Sequence, residues 1–231
     1  MNAMILAAGK GERLQPLTNH IPKPMVEVGE KSIIQHTLEG VAALGINRVV
    51  INAWHLADKL IRHVGTGGQW GVEVAWSRED RLLNTGGGVR NALAQLGEET
   101  TLLVNGDILW DLDLQPLLDG FDKGKMDGLL GLIANPPYKK SDFFCPAQGG
   151  ELIRAHGKEG GYTYAGIMVF RPGALADYPL EPFSLNHFFD DAMASGRLFG
   201  QPLSGRWADM GTPQRLAQVQ KEWHNDSLSS L

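Results

Sequence analysis

Short apolar runs alternate along the chain with segments of helical periodicity, and glycine-rich breaks separate them. Met4, Ile5 and Leu6 close an apolar run that passes directly into Ala7, Ala8, Gly9, Lys10 and Gly11, a strand entering a loop with almost no side-chain bulk. Ser32 precedes Ile33, Ile34, Leu38, Val41 and Leu44 at helical spacing, with Gly45 behind them, which predicts a capped helix to about Leu44. Residues 48–52 read as a buried strand and 56–64 as a second helix. Val72, Val74 and Trp76 then alternate with Glu73, Ala75 and Ser77, the period of a half-exposed strand. Gly86, Gly87 and Gly88 lead into a helix expected over 89–96, and 101–104 form a compact β-rich run.

The second half is less regular. Asp111 and Asp113 fall in what reads as a solvated turn before a helix at 115–121, followed by a buried strand at 128–134. An irregular stretch runs from Asn135, Pro136 and Pro137 to about Gly150, and 151–154 with 162–170 read as a hairpin. Ser184 and Gly196 bracket an amphipathic helix, a short strand follows near 198–202, and Thr212–Pro213 start a helix to about Trp223, ahead of a polar, frayed tail from Asn225. The βαβαβ order of the first half predicts an α/β fold, with a mostly parallel sheet, helices on both faces and ligands beyond the carboxyl ends of the strands.

Composition narrows the class. The 231 residues suffice for one large domain, and 43% hydrophobic with 20% charged residues is ordinary for a globular protein. A net charge of −5 argues against a general nucleic-acid or anionic-membrane surface, so the bases near the first loop are a local feature. One cysteine, Cys145, excludes an internal disulfide and a cysteine-based metal site. With no leader-like start and no bilayer-length apolar stretch, a cytoplasmic location is the expectation. No H-E-x-x-H or G-x-S-x-G occurs.

The chemistry centres on the first loop. Consecutive backbone N–H groups of a glycine-rich turn form a concave nest for phosphate oxygens. Arg13 lies just beyond it, and Lys23, held between Pro22 and Pro24, can return to the same place. No glycine there is followed by Lys and then Ser or Thr, so the P-loop fails; Leu14 stands where the dinucleotide fingerprint needs its third glycine, so that fails too. Asn84, Thr85, Gly86 and Gly87 offer a flat backbone surface for a planar base. Asp107 ends a central strand, where an unpaired carboxylate is costly and calls for a cation; Mg²⁺ accepts one or two protein carboxylates and completes its shell with water and phosphate. Asp209, between Trp207 and Gly211, is the candidate for the second carboxylate, because Thr212 already serves as the helix cap. Asp142 in the irregular stretch, and Thr163 and Gly166 on the strand after it, are further candidate ligand contacts.

The run L-A-A-G-K-G-E-R-L-Q-P-L-T (6–18), with P-K-P at 22–24, resembles the start of the sugar-phosphate nucleotidyltransferases, and Asn105-Gly106-Asp107 and Trp207 to Gly211 extend the likeness over nearly the whole chain. Length and Thr85-Gly86-Gly87-Gly88 most resemble the short bacterial N-acetylmuramate 1-phosphate uridylyltransferases. Members of that group usually carry a second Arg where this chain has Gln15, and often Glu where it has Asn84. The resemblance implies a Rossmann-like α/β/α sandwich with a mixed, mostly parallel sheet in a single domain, the nucleotide over about 1–110 and the sugar phosphate over about 111–225. It implies Mg²⁺-dependent nucleotidyl transfer from a nucleoside triphosphate, UTP for this group, to a sugar 1-phosphate, in cell-wall sugar (peptidoglycan) recycling, by a monomer or small homo-oligomer. Asp107 and Asp209 would hold the metal and Arg13 and Lys23 the phosphates. Leu6, Ala7, Ala8, Gly9, Gly11, Glu12, Arg13, Lys23, Asn84, Thr85, Gly86 and Gly87 would line the nucleotide site, and Asn105, Asp142, Thr163 and Gly166 the sugar site. Mannose 1-phosphate with GTP, glucose 1-phosphate, phosphocholine with CTP, and a non-catalytic nucleotide-sugar sensor are the alternatives.

Overall fold

The computed structural model describes residues 1–146 and 150–226, with side chains through Trp223. Its first half follows the expected order: β1 (Asn2–Leu6), a small ribbon of β2 (Glu27–Val28) and β3 (Lys31–Ser32), α1 (Ile33–Ala43), β4 (Arg48–Ala53), α2 (Ala57–Val64), β5 (Glu73–Arg78), α3 (Asn84–Leu96) and β6 (Thr101–Asn105). The second half holds β7 (Ile108–Leu112), α4 (Gln115–Asp119), β8 (Gly128–Ala134), β9 (Phe143–Phe144), β10 (Gly150–Glu151), β11 (Ile153–Arg154) and β12 (Tyr162–Phe170). It ends with α5 (Leu185–Ala194), β13 (Leu198–Pro202), β14 (Gly205–Asp209) and α6 (Pro213–Asp226). Residues 227–231 of the expected frayed tail, and 147–149 of the irregular stretch, lie outside the described residues.

One ten-stranded sheet runs β10-β13-β8-β12-β6-β1-β4-β5, with β9 and β11 attached beside it. β1 pairs in parallel with β4 and β6, β4 with β5 and β8 with β13, whereas β12 runs antiparallel between β6 and β8. The two-residue period of a strand sorts its side chains into two cores. Ala3, Ile5, Val49, Ile51, Leu102 and Val104 pack with Ile34, Leu38 and Val41 of α1, Leu60 of α2 and Leu117 of α4. Met4, Val50 and Leu103 face the other way, against Val89, Ala92 and Leu96 of α3 and Phe188 and Phe189 of α5. Helices therefore cover both faces, and the strands read as continuous apolar runs because both sides are buried. A separate antiparallel ribbon joins β7 to β14, pairing Asp209 with Ile108.

Four local expectations are corrected. Asp111 lies in β7, and only Asp113, one residue before the Leu114 cap of α4, bonds to the helix start, accepting from the Gln115 N–H at 3.1 Å. The expected hairpin does not form: β10 pairs with β13, and β11 pairs with β9, which itself pairs with the start of β12 at Tyr162 and so stands between the two expected partners, while β8 and β6 take the rest of β12. Ser77 is not half-exposed but fully buried, with the Asn91 side chain of α3 donating to its hydroxyl at 2.9 Å. Finally, α3 begins at Asn84, so the three glycines lie inside the helix rather than ahead of it.

Packing explains those glycines. A Cβ on Gly86 would lie 2.3 Å from the Phe183 ring, one on Gly87 2.4 Å from the Glu181 carbonyl oxygen, and one on Gly88 2.6 Å from the Asn52 side chain. The absence of side chains lets α3 sink against the 181–184 segment, whose Phe183 carbonyl accepts from the Gly86 N–H at 2.9 Å. Gly86→Ala adds a methyl group against a buried ring that itself stacks on Tyr178. Overpacking costs about 1–3 kcal/mol and the gain in helix propensity offsets roughly 1 kcal/mol. A fall of a few degrees in Tm is expected by calorimetry, and an unchanged Tm would mean that the ring yields freely.

Candidate active site

The glycine loop leaves the carboxyl end of β1 at the centre of the sheet. The Gly106 N–H donates to the Leu6 carbonyl at 2.9 Å, and a Cβ at Gly106 would sit 2.6 Å from that oxygen, so only glycine lets the exit from β6 approach β1 this closely. Asp107, the next residue, is thereby delivered to the loop. The Ala7 N–H donates to the Asn52 side chain at 2.7 Å. Asn52 donates in turn to Glu79 at 2.7 Å, and the second Glu79 oxygen accepts from the Leu83 N–H at 2.9 Å. Burial pushes the Glu79 carboxyl above its ordinary pKa, while these two bonds pull the other way. Gly11 adopts the left-handed conformation at φ 65°, and a single helical turn over Glu12–Leu14 follows. Leu14, the residue that breaks the dinucleotide fingerprint, is buried with Val26, Val28, Ile33, Leu109, Met210, Leu216 and Val219. It anchors the loop to the β7–β14 ribbon and α6.

That ribbon brings two aspartates, distant in sequence, onto neighbouring stretches of backbone. The Met210 N–H donates to the Asp107 carbonyl at 3.1 Å, directly after the Asp209–Ile108 pair, so Asp209 stands beside Asp107. Each carboxylate has a cation. Lys23 is only 8% exposed, and its Nζ lies 2.6 Å from Asp107 Oδ2. Arg215, in the first turn of α6, pairs with Asp209, which also accepts from the Gly211 N–H at 2.9 Å. The Arg13 guanidinium lies close by: a Cβ at Gly211 would be 3.0 Å from its Nη2. Arg215 also stacks on the Tyr138 ring, 4.4 Å from its centroid. Partial burial pushes the Tyr138 hydroxyl above its ordinary pKa, and the neighbouring Asp209 charge adds to the rise.

Two adjoining cavities open here. One, about 430 Å³, is lined by Leu6, Ala7, Ala8, Gly9, Lys23, Pro24, Asn52, Leu82, Asn84, Thr85, Asn105, Gly106, Asp107 and Ser184. The other, about 480 Å³, is lined by Gly9, Lys10, Gly11, Glu12, Arg13, Leu14, Lys23, Leu82, Asp107 and Gly211. Gly9, Lys23, Leu82 and Asp107 belong to both, so the lysine–aspartate pair stands at the junction. The second cavity, with its glycine backbone, Arg13 and Lys23, has the make-up of an anion site.

A family model described as nucleotidyl transferase matches residues 2–145. The chain belongs to this family. As a nucleotidyltransferase it is similar to the N-acetylmuramate alpha-1-phosphate uridylyltransferase of Caulobacter vibrioides, at 33% identity over 92% of each chain. It is also similar to the mannose-1-phosphate guanylyltransferase of Mycobacterium tuberculosis, at 29% identity over 93% of this chain and 62% of the relative. Its fold matches the structure of HddC from Yersinia pseudotuberculosis complexed with GMP-PN, with a TM-score of 0.81 and 22% identity over 96% of this chain and 99% of the other.

Within this nucleotidyltransferase the expected site residues divide. Leu6, Ala7, Ala8, Gly9, Gly11, Glu12, Arg13, Lys23, Asn84, Thr85, Asn105 and Asp107 line the cavities, and Asp209 adjoins them through Gly211 and Asp107. Gly86 and Gly87 do not form an open wall, because residues 181–183 cover them. Thr163 is fully buried and donates to Asn135 at 3.0 Å, since strand alternation points it into the core with Ala165 and Ile167. Asp142 accepts from the Tyr164 N–H at 3.0 Å and so ties its loop to β12. Gly166 lines neither of these two cavities but lies behind Asn105, whose side-chain nitrogen would be 2.9 Å from a Cβ there.

Sequence reasoning missed Asn52, Leu82, Ser184, Tyr138 and Arg215. Asn52 carried a readable signal, a polar residue ending a buried apolar strand. The other four are brought in by tertiary packing alone.

Proposed function

We propose that this nucleotidyltransferase transfers a uridylyl group from UTP to N-acetylmuramate 1-phosphate with Mg²⁺, releasing pyrophosphate and forming a nucleotide sugar. The observation that carries the reading is the convergence of Asp107 and Asp209 across the β7–β14 ribbon at the mouth of a glycine loop. Two hard carboxylate donors beside an anion site suit an ion that takes one or two protein ligands and phosphate oxygens. Asp107 and Asp209 would hold it, and when bound it supplies neutralisation of charge on the reacting phosphates.

A phosphate oxygen of the sugar 1-phosphate attacks the α-phosphorus in line; the new P–O bond forms as the α–β bridging bond breaks, and pyrophosphate carries away the electron pair. The attacking oxygen is already anionic at neutral pH, so no protein base is required, and catalysis reduces to alignment and charge. Arg13 and the loop N–H groups receive the departing pyrophosphate, and Lys23, at the junction of the cavities, faces the reacting centre. Asn84, Thr85 and Asn105 hold the base and sugar sides, with the first half of one domain taking the nucleotide and the second the acceptor. The setting that goes with this reaction is the cytoplasm and the recycling of peptidoglycan sugars.

Guanylyl transfer to mannose 1-phosphate is the second reading, favoured by the 29% identical relative, yet the chain spans 62% of that relative against 92% of the uridylyltransferase. A pyrophosphate-release panel crossing UTP, GTP, CTP and dTTP with N-acetylmuramate, mannose and glucose 1-phosphates and phosphocholine decides between them. The proposed pair is expected to exceed every other in kcat/KM by on the order of tenfold or more. GTP with mannose 1-phosphate in the lead would give the second reading, and no release from any pair would leave a nucleotide-sugar sensor.

A further inference from the structure

Asp107 and Asp209 are each already paired with a cation, one with Lys23 and the other with Arg215. The two cations are placed differently. Lys23 is fixed between prolines and buried at the junction of the cavities. Arg215 is at the rim of the site, with its side chain 23% exposed, and it already rests on the exposed ring of Tyr138. A guanidinium on an aromatic face keeps a favourable interaction when it gives up a carboxylate. Asp209 for its part keeps the Gly211 N–H, so its orientation does not depend on Arg215.

Resting on the reading of Asp209 as a metal ligand, we infer that Arg215 is a displaceable counterion: it occupies the Asp209 carboxylate in the metal-free enzyme and withdraws along the Tyr138 ring when a divalent ion is held. Arg215 and the ion compete for one charge. The arginine keeps an otherwise half-buried acid neutral between turnovers and weakens metal binding when no nucleotide is present to share the ion's coordination.

The test is Mn²⁺ binding to the whole protein without nucleotide, read from the electron paramagnetic resonance signal of free Mn²⁺. Removing one nearby positive charge in Arg215→Gln should tighten Kd about tenfold, the scale of a unit charge a few ångströms away after screening. Arg215→Lys, which keeps the charge, should stay within about twofold of wild type, and Asp209→Asn should bind weakly. An unchanged Kd in Arg215→Gln, with Asp209→Asn weakened, overturns the inference and leaves the metal site standing. Undiminished binding in Asp209→Asn removes the metal reading and the inference with it. A Kd tightened equally by Lys and Gln overturns the charge argument. Arg215→Met makes the same comparison should the Gln variant fail to fold.

Discussion

Asp209→Asn is expected to lower Mg²⁺-dependent pyrophosphate release by on the order of a thousandfold or more, and Asp107→Asn to do the same. The size follows from what the carboxylates contribute: charge stabilisation by a bound divalent ion is worth several kcal/mol, and every 1.4 kcal/mol is tenfold in rate. The two variants differ in what they leave behind. Asn at 107 leaves the buried Lys23 ammonium without the negative charge that balances it 2.6 Å away, so some of its loss would be structural. Asn at 209 is the cleaner experiment. Its side-chain oxygen can still accept from the Gly211 N–H, and Arg215 retains the Tyr138 ring. Asp209→Asn should therefore keep a Tm within a few degrees of wild type while losing turnover. A folded variant with near-normal rate would remove Asp209 from the chemistry.

The parts of the site that local sequence revealed are those where backbone geometry dictates residue type. The glycine loop, the carboxylate at the end of β6 and the Thr212–Pro213 helix start all announce themselves because a nest, a strand end and a cap each demand particular side chains. What stayed hidden depends on neighbours distant in sequence. Gly86 and Gly87 looked like an open platform, yet they make room for Phe183 and Glu181, a hundred residues on. Thr163 looked like a hydroxyl offered to a ligand, and it is bonded to Asn135 in the interior. The expected hairpin did not foresee the competition: β9, from the irregular stretch before it, pairs with both Ile153–Arg154 and Tyr162 and keeps them apart. Arg215 is one more base on a helix until α6 is laid beside β14.

Lys23→Ala is expected to lower kcat by on the order of 100-fold or more, the usual cost of losing one charge-stabilising group at a reacting phosphate. Three observations support that proposed role. It lines both cavities, so its ammonium stands between the space assigned to the nucleoside and that assigned to the leaving phosphates. It is 8% exposed, where an ionic contact is screened less than at the surface. Pro22 and Pro24 limit the backbone on either side, so the charge arrives pre-positioned. Arginine should not substitute: its rigid planar fork needs more room than a buried point charge, and Lys23→Arg is expected to recover little. The decisive signature is a split. Asp107 loses a competitor in Lys23→Ala, so Mn²⁺ should bind the free variant more tightly while turnover falls. A residue that merely held the loop together would depress both, and unchanged kinetics in a folded Lys23→Ala would return the lysine to a structural role.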